Sequence, residues 1–259
     1  MIDALYALPD WALLLAWASA LAVLFVLMSA LTHRVPRLRP NADNSDFVLR
    51  LQATLFTITG FVVAFTLVEA LSNLRKVDTV VTAEASAINR LDRLLFKYGH
   101  ETSQRVRPEL LEYARSVVAD EWPAMQRGAS ARTGQDFADV SNGILALEPA
   151  PGWQTVLYSE ILRSYDAVAE ARDARLGVVT VSLGAGFWQA ITFAVLLLLF
   201  VSSTIERNFF RTVILGCQMA VLGTFIGFVF ILDQPFKGRS AVKPVAIAQT
   251  IAVIEDRKR

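Results

Sequence analysis

The chain has 259 residues, 54% of them hydrophobic, with a mean hydropathy of +0.44 and a net charge of +1. That apolar content exceeds what a soluble domain usually carries, and without a basic tail or stripe there is no electrostatic footprint for nucleic acid. The single cysteine, Cys217, excludes an intrachain disulfide, and the two histidines, His33 and His100, lie too far apart for a zinc site of the usual His/Cys type.

Four apolar segments, residues 11–31, 53–71, 187–203 and 212–232, are each about long enough to cross a bilayer. The first has no Lys or Arg before it and no small-residue cleavage site after it, so it reads as a retained helix rather than a signal peptide. Asp10 is its expected N-cap behind Pro9, and Trp11 and Trp17 suit an interfacial anchor. The turn that follows holds Arg34, Arg37 and Arg39 together with the breakers Pro36 and Pro40, after which Asn44 and Ser45 are expected to cap the next helix.

From Phe61 to Tyr98 there is neither glycine nor proline. A helix running unbroken from Asp46 to Tyr98 would be roughly 80 Å long; the alternative is a break near Asn73. Beyond Leu71 the pattern turns amphipathic, with Val77, Val81, Ile88, Leu91 and Leu95 on one face and Asp78, Arg90, Asp92 and Arg93 on the other. Gly99 is the expected C-terminal cap. Further helices are predicted over residues 102–125 and 136–147. After the breaker Pro149-Ala150-Pro151-Gly152, one more starts near Trp153 and feeds the third span past Gly177, Gly184 and Gly186.

The predicted fold is therefore an all-α membrane protein: four transmembrane helices, with an all-helical extramembrane domain inserted between the second and third. The expected divisions are a first hairpin over 1–71, the helical domain over 72–186, a second hairpin over 187–232, and a turn and tail over 233–259. Arg34, Arg37 and Arg39 in one short loop, with Arg207 and Arg211 in the other, place those loops in the cytoplasm and the domain outside. Arg75, Lys76, Arg172, Arg175, Lys237 and Arg239 on the opposite face nearly balance them.

Several runs together resemble a known family: Gly60-Phe61-Val62-Val63-Ala64-Phe65, then Glu84-Ala85-Ser86-Ala87-Ile88 with Leu91. Tyr113 with Glu121-Trp122-Pro123 follows, then Arg172 with Arg175, and Asp233-Gln234-Pro235-Phe236-Lys237-Gly238. The chain resembles the bacterial bestrophin-like family of four-span membrane proteins. Bestrophins are pentameric anion channels with aromatic residues of the second span lining the pore. The resemblance thus implies a homo-oligomer in the bilayer of a bacterial inner membrane, passing small anions, without enzymatic activity or cofactor. Glu69-Ala70-Leu71-Ser72 stands where bestrophins have a tryptophan-rich stretch, and an acidic calcium-binding loop is lacking, so calcium gating is not implied. The competing reading is a non-transporting scaffold or sensor whose helical domain binds a partner.

Thr54, Thr57, Phe61, Phe65 and Val68 share roughly one face of the second span. With Glu69 near its end, this face is the candidate pore wall: hydroxyls that solvate an ion, then a phenylalanine gate. The plain alternative is helix packing, with Gly60 allowing close approach and the threonines bonding their own backbone. Glu69 could also reach the interface or pair with Arg75 or Lys76. Gln189 and Gln218 are candidates for bonds between helices. Glu84, Glu121, Arg172 and Arg175 are expected to tie domain helices together as ion pairs, with Trp122 anchoring a helix end. Pro235 and Gly238 should turn the chain after the fourth span, with Phe236 locking the membrane helices to the domain. Gly184-Ala185-Gly186 lacks the strand and the Gly-Lys-Ser/Thr of a phosphate loop.

Overall fold

The computed structural model describes residues 6, 8–35, 42–99, 101–125 and 128–257. Pro36, Arg37, Arg39, Pro40, Asn41 and His100 therefore lie outside the described residues. Among those described every regular element is helical. Four helices are long and apolar enough to cross a membrane. The chain divides into two compact units: Met1–Leu74 with Ser182–Ala241, and Arg75–Val181 with Val242–Arg259.

The first unit is built from α1 (Asp10–Thr32), the first part of α2 (Ala42–Tyr98), and two helices of the second hairpin. Asp10 does not cap α1. Pro9 holds the N-cap position with extended dihedrals, and Asp10 sits in the first turn, its carboxylate accepting the Ser240 hydroxyl at 2.6 Å. Helix α2 starts at Ala42, so Asn44 and Ser45 fall inside it rather than before it, and it continues through Asn73 without a break. Its buried side chains in the first unit include Gln52, Thr59, Val63, Thr66 and Ala70. Val63 and Ala70 join Leu21, Phe25, Leu198, Met219 and Val229 in one apolar core.

The other two helices of this unit (Ala185–Ser203 and Phe209–Leu232) cover the third and fourth apolar segments. The last of them meets α1 through two glycines. A Cβ on Gly223 would stand 2.5 Å from the Trp17 carbonyl oxygen and 2.9 Å from the Ala18 Cα, and one on Gly227 3.2 Å from the Trp17 side chain. Gly223-Thr224-Phe225-Ile226-Gly227 is the small-residue spacing that lets membrane helices touch backbone to backbone. At the far end Asp233 accepts the Leu183 N–H at 2.6 Å and the Trp188 indole N–H at 3.3 Å. That clip holds the segment before the third span extended, with Val181 at φ −66 and ψ 120.

The second unit holds the remainder of α2, α3 (Glu101–Ser116), α4 (Ala131–Leu145) and α5 (Trp153–Gly177). With the second hairpin helices taken as α6 (Ala185–Ser203) and α7 (Phe209–Leu232), the last element is α8 (Val245–Asp256). Helix α5 does not run into α6: it ends at Gly177, and a single 3₁₀ turn, Val178–Thr180, and an extended link follow. Val77, Val81, Ile88, Leu91 and Leu95 are buried, as the amphipathic pattern requires. Gly99 has φ +70, the left-handed conformation of a helix C-terminus.

Two further features depart from the sequence reading. Asp92, expected on the solvent face of α2, is fully buried. It accepts Arg107 Nε at 2.8 Å and also the Arg257 guanidinium, while Arg107 lies over the Phe96 ring at 5.0 Å. Paired charges escape the penalty that keeps lone ones on the surface. Residues 245–256, read as tail, form α8. That helix buries Ile247 and Ile254, and the Thr250 hydroxyl donates to the Ala85 carbonyl.

Candidate functional site

Along the membrane part of α2 one face is covered and the other is bare. Val63, Thr66 and Ala70 are at most 2% exposed, whereas Phe61 is 62%, Phe65 72% and Val68 64% exposed. Thr54 and Thr57 are exposed on the bare side, and their hydroxyls donate to the carbonyls of Arg50 at 3.0 Å and Ala53 at 2.9 Å. Those bonds leave each hydroxyl oxygen with acceptor capacity. Arg50, one turn before Thr54, is exposed as well, and Glu69 is half-buried. A Cβ on Gly60 would meet nothing within 4 Å, so Gly60 does not serve close packing within this chain.

Gln218 bonds across helices: its Oε1 accepts from Gln52 Nε2 at 2.9 Å. Gln189 is exposed. The Gly223/Gly227 contact escaped the sequence reading, although its four-residue spacing was visible there.

Glu84, Glu121, Arg172 and Arg175 come together in the second unit. Arg175, fully buried, reaches Glu84 with Nε and with Nη2, the latter at 3.1 Å, and Glu121 Oε2 with Nη2 at 2.5 Å. Arg172 Nη2 donates to Glu121 Oε1 at 2.9 Å, and the Ser130 N–H reaches the same oxygen at 3.2 Å. The Tyr113 hydroxyl donates to Glu84 Oε1 at 2.9 Å, and Arg175 Nη1 approaches Met125 Sδ at 3.1 Å. Two carboxylates thus face two guanidinium groups. Burial works against the Arg175 charge, but hydrogen bonds and attraction from Glu84 and Glu121 outweigh it and hold the guanidinium protonated above its ordinary range. Burial, and then the Glu84 charge, push the Tyr113 phenol well above its usual value. Tyr113, one of the residues that carry the family resemblance, joins the cluster, and so does Met125, for which the sequence gave no signal beyond its helix.

Trp122 is half-buried and donates its indole N–H to the Val242 carbonyl at 3.3 Å. Pro235 is buried, Phe236 half-buried, and Gly238 is exposed with φ +81. Among the described residues, no three His, Cys, Asp or Glu side chains gather as metal ligands.

The family model of the bestrophin-like domain matches residues 16–247. The chain belongs to the bestrophin-like family. No match was found among curated proteins. The fold is similar to crystal structures of a bacterial bestrophin homologue from Klebsiella pneumoniae. One variant has a TM-score of 0.67 at 14% identity, over 93% of this chain and 96% of that one. Another has 0.64 at 12% identity, over 92% and 97%. A further crystal structure, of a membrane protein, has 0.63 at 13% identity, over 90% and 95%. At such identities the likeness concerns the fold. This bestrophin-like chain is a multi-pass, all-α membrane protein with a helical extramembrane domain.

Proposed function

We propose that this bestrophin-like protein is the subunit of a homo-oligomeric channel passing small anions, with the second span lining the pore. The observation that carries the reading is the bare face of α2, which grades from Arg50 through the hydroxyls of Thr54 and Thr57 to Phe61, Phe65 and Val68. Several copies turned inward would ring a path with positive charge at one end and an aromatic constriction further along. That order attracts anions and gates them by dewetting. Glu69 ends the face. The bestrophin-like family and the fold support the class; the ion and the oligomer number belong to the proposal.

The test is anion flux into liposomes that hold the purified protein. A chloride gradient should drive flux, Phe65→Ala should raise leak, and Arg50→Glu should shift selectivity toward cations. Absence of flux from the assembled wild type under every anion gradient would overturn the channel and favour a scaffold whose helical domain binds a partner. For sidedness, the arginines of the short loops favour an external domain in the bacterial inner membrane. A reporter fused at Ala129 that scores cytoplasmic would reverse that orientation.

A further inference from the structure

Helix α3 does not end as an α-helix. Residues Val117–Glu121 form a π-turn, closed by the Trp122 N–H on the Val117 carbonyl five residues back, before a last α-turn, Trp122–Ala124. At about 100° per residue a regular helix would carry Glu121 roughly 80° around the axis from Tyr113. A π-turn takes in one more residue without adding rotation, which reduces the offset to roughly 20° in the other sense. Tyr113 and Glu121 then share a face, and both reach the Glu84–Arg175 pair.

The wide turn is held from several directions. Glu121 binds Arg175, Arg172 and the backbone N–H of Ser130, the N-cap of α4. The buried Thr133 hydroxyl donates to the Ser116 carbonyl where the turn opens, at 3.3 Å. Ala119, in the middle of the turn, is exposed. A π-turn has no propensity of its own to persist, and such turns recur where a helix carries function.

We propose that residues 117–121 are a register switch. The helix has a second state, regular throughout, in which Glu121 rotates out of the cluster. In that state Arg175 keeps only Glu84, Arg172 loses its bond to Glu121, and Met125 turns away from Arg175. Two discrete arrangements of one helix end are what a conformational signal requires, and the ion-pair cluster is the latch that selects between them.

The test uses the full-length protein in detergent. Glu121→Gln should speed amide exchange at residues 117–122 by roughly tenfold or more relative to the buried stretch 81–95 of α2. Deleting Ala119 leaves Glu121 seven residues from Tyr113, on the same face of a regular helix, so the deletion should keep the cluster, melt within a few degrees of wild type and slow exchange at residues 117–122, whereas Glu121→Ala should lower the midpoint by roughly 5–15 °C. A deletion that melts as low as Glu121→Ala would show that the additional residue does not set the register of Glu121 and would overturn the switch. So would exchange at residues 117–122 no slower in the deletion variant than in wild type, because the shortened helix has only the latched register. Should the deletion variant fail to fold, the exchange comparison alone decides, and unchanged relative exchange at 117–122 in Glu121→Gln overturns the proposal.

Discussion

The two units solve the same problem, polar groups inside a packed helix bundle, in opposite ways. In the membrane unit buried threonines such as Thr59 and Thr66 donate to their own helix carbonyls, and one amide pair, Gln52 with Gln218, bonds between helices. Its helices approach through glycine. In the extramembrane unit Glu84, Asp92, Arg107, Glu121 and Arg175 are all at most 4% exposed, each bonded to an opposite charge. Hydrocarbon cannot compensate a charge, so the membrane unit avoids charges in its core and leaves broad apolar faces for lipid or for other copies. A water-soluble domain can bury charges when each has its partner, and the partners then fix which helices lie side by side.

The contrast breaks most sharply at Arg175. Arg175→Met leaves Glu84 and Glu121 without their shared partner and should cost the domain about 3–5 kcal/mol in chemical denaturation. Arg163→Ala, which removes an exposed pair with Glu160, should cost less than about 1 kcal/mol. Equal losses would mean that burial does not govern these charges.

Next in size is glycine packing in the membrane unit. Gly223→Val forces a side chain against the Trp17 backbone and should destabilise by roughly 1–3 kcal/mol in a melt of the solubilised protein. Gly60→Val meets open space within the chain and should leave the fold intact. If Gly60→Val dissociates the proposed oligomer on a sizing column, the bare face of α2 contacts other copies.

Gln218→Leu leaves Gln52 without its bond and should cost about 0.6–1.7 kcal/mol, with the Gln52→Leu, Gln218→Leu double variant recovering most of it. A double variant worse than either single would show that these amides face water rather than each other.

The smallest effect sharpens the rule for the domain. The Glu109 carboxyl packs against Gly143, with one oxygen buried and without a hydrogen bond, and burial followed by the charge of Asp139 raises its pKa. A carboxyl raised on folding favours the native state more as pH falls through its folded pKa, and weakens it at neutral pH, where it must ionise. Glu109→Gln should therefore raise the melting midpoint at pH 7 by about 1–3 °C, with the gain vanishing toward pH 4. A gain that persists in acid would place its cause outside ionisation.

Much of this was legible in the residues. Apolar runs free of breakers gave four spans, because the length of such a run needs no tertiary information. The three-four spacing after Leu71 gave the buried stripe, and the glutamates and arginines of the cluster stood out as charges on otherwise amphipathic helices. Their grouping was expected from the sequence, whereas which carboxylate each arginine takes came from the fold, across the 91 residues between Glu84 and Arg175. Asp92 was misread because periodicity assigns a face but not a partner: Arg257, 165 residues away, makes its burial tolerable. The Gly223 contact, the Asp233 clip and helix α8 were decided by long-range packing. The π-turn was decided in the same way. Local propensity favours a regular helix there, and only Arg172, Arg175 and Ser130, gathered from two other helices, stabilise Glu121 in the register that the wide turn provides.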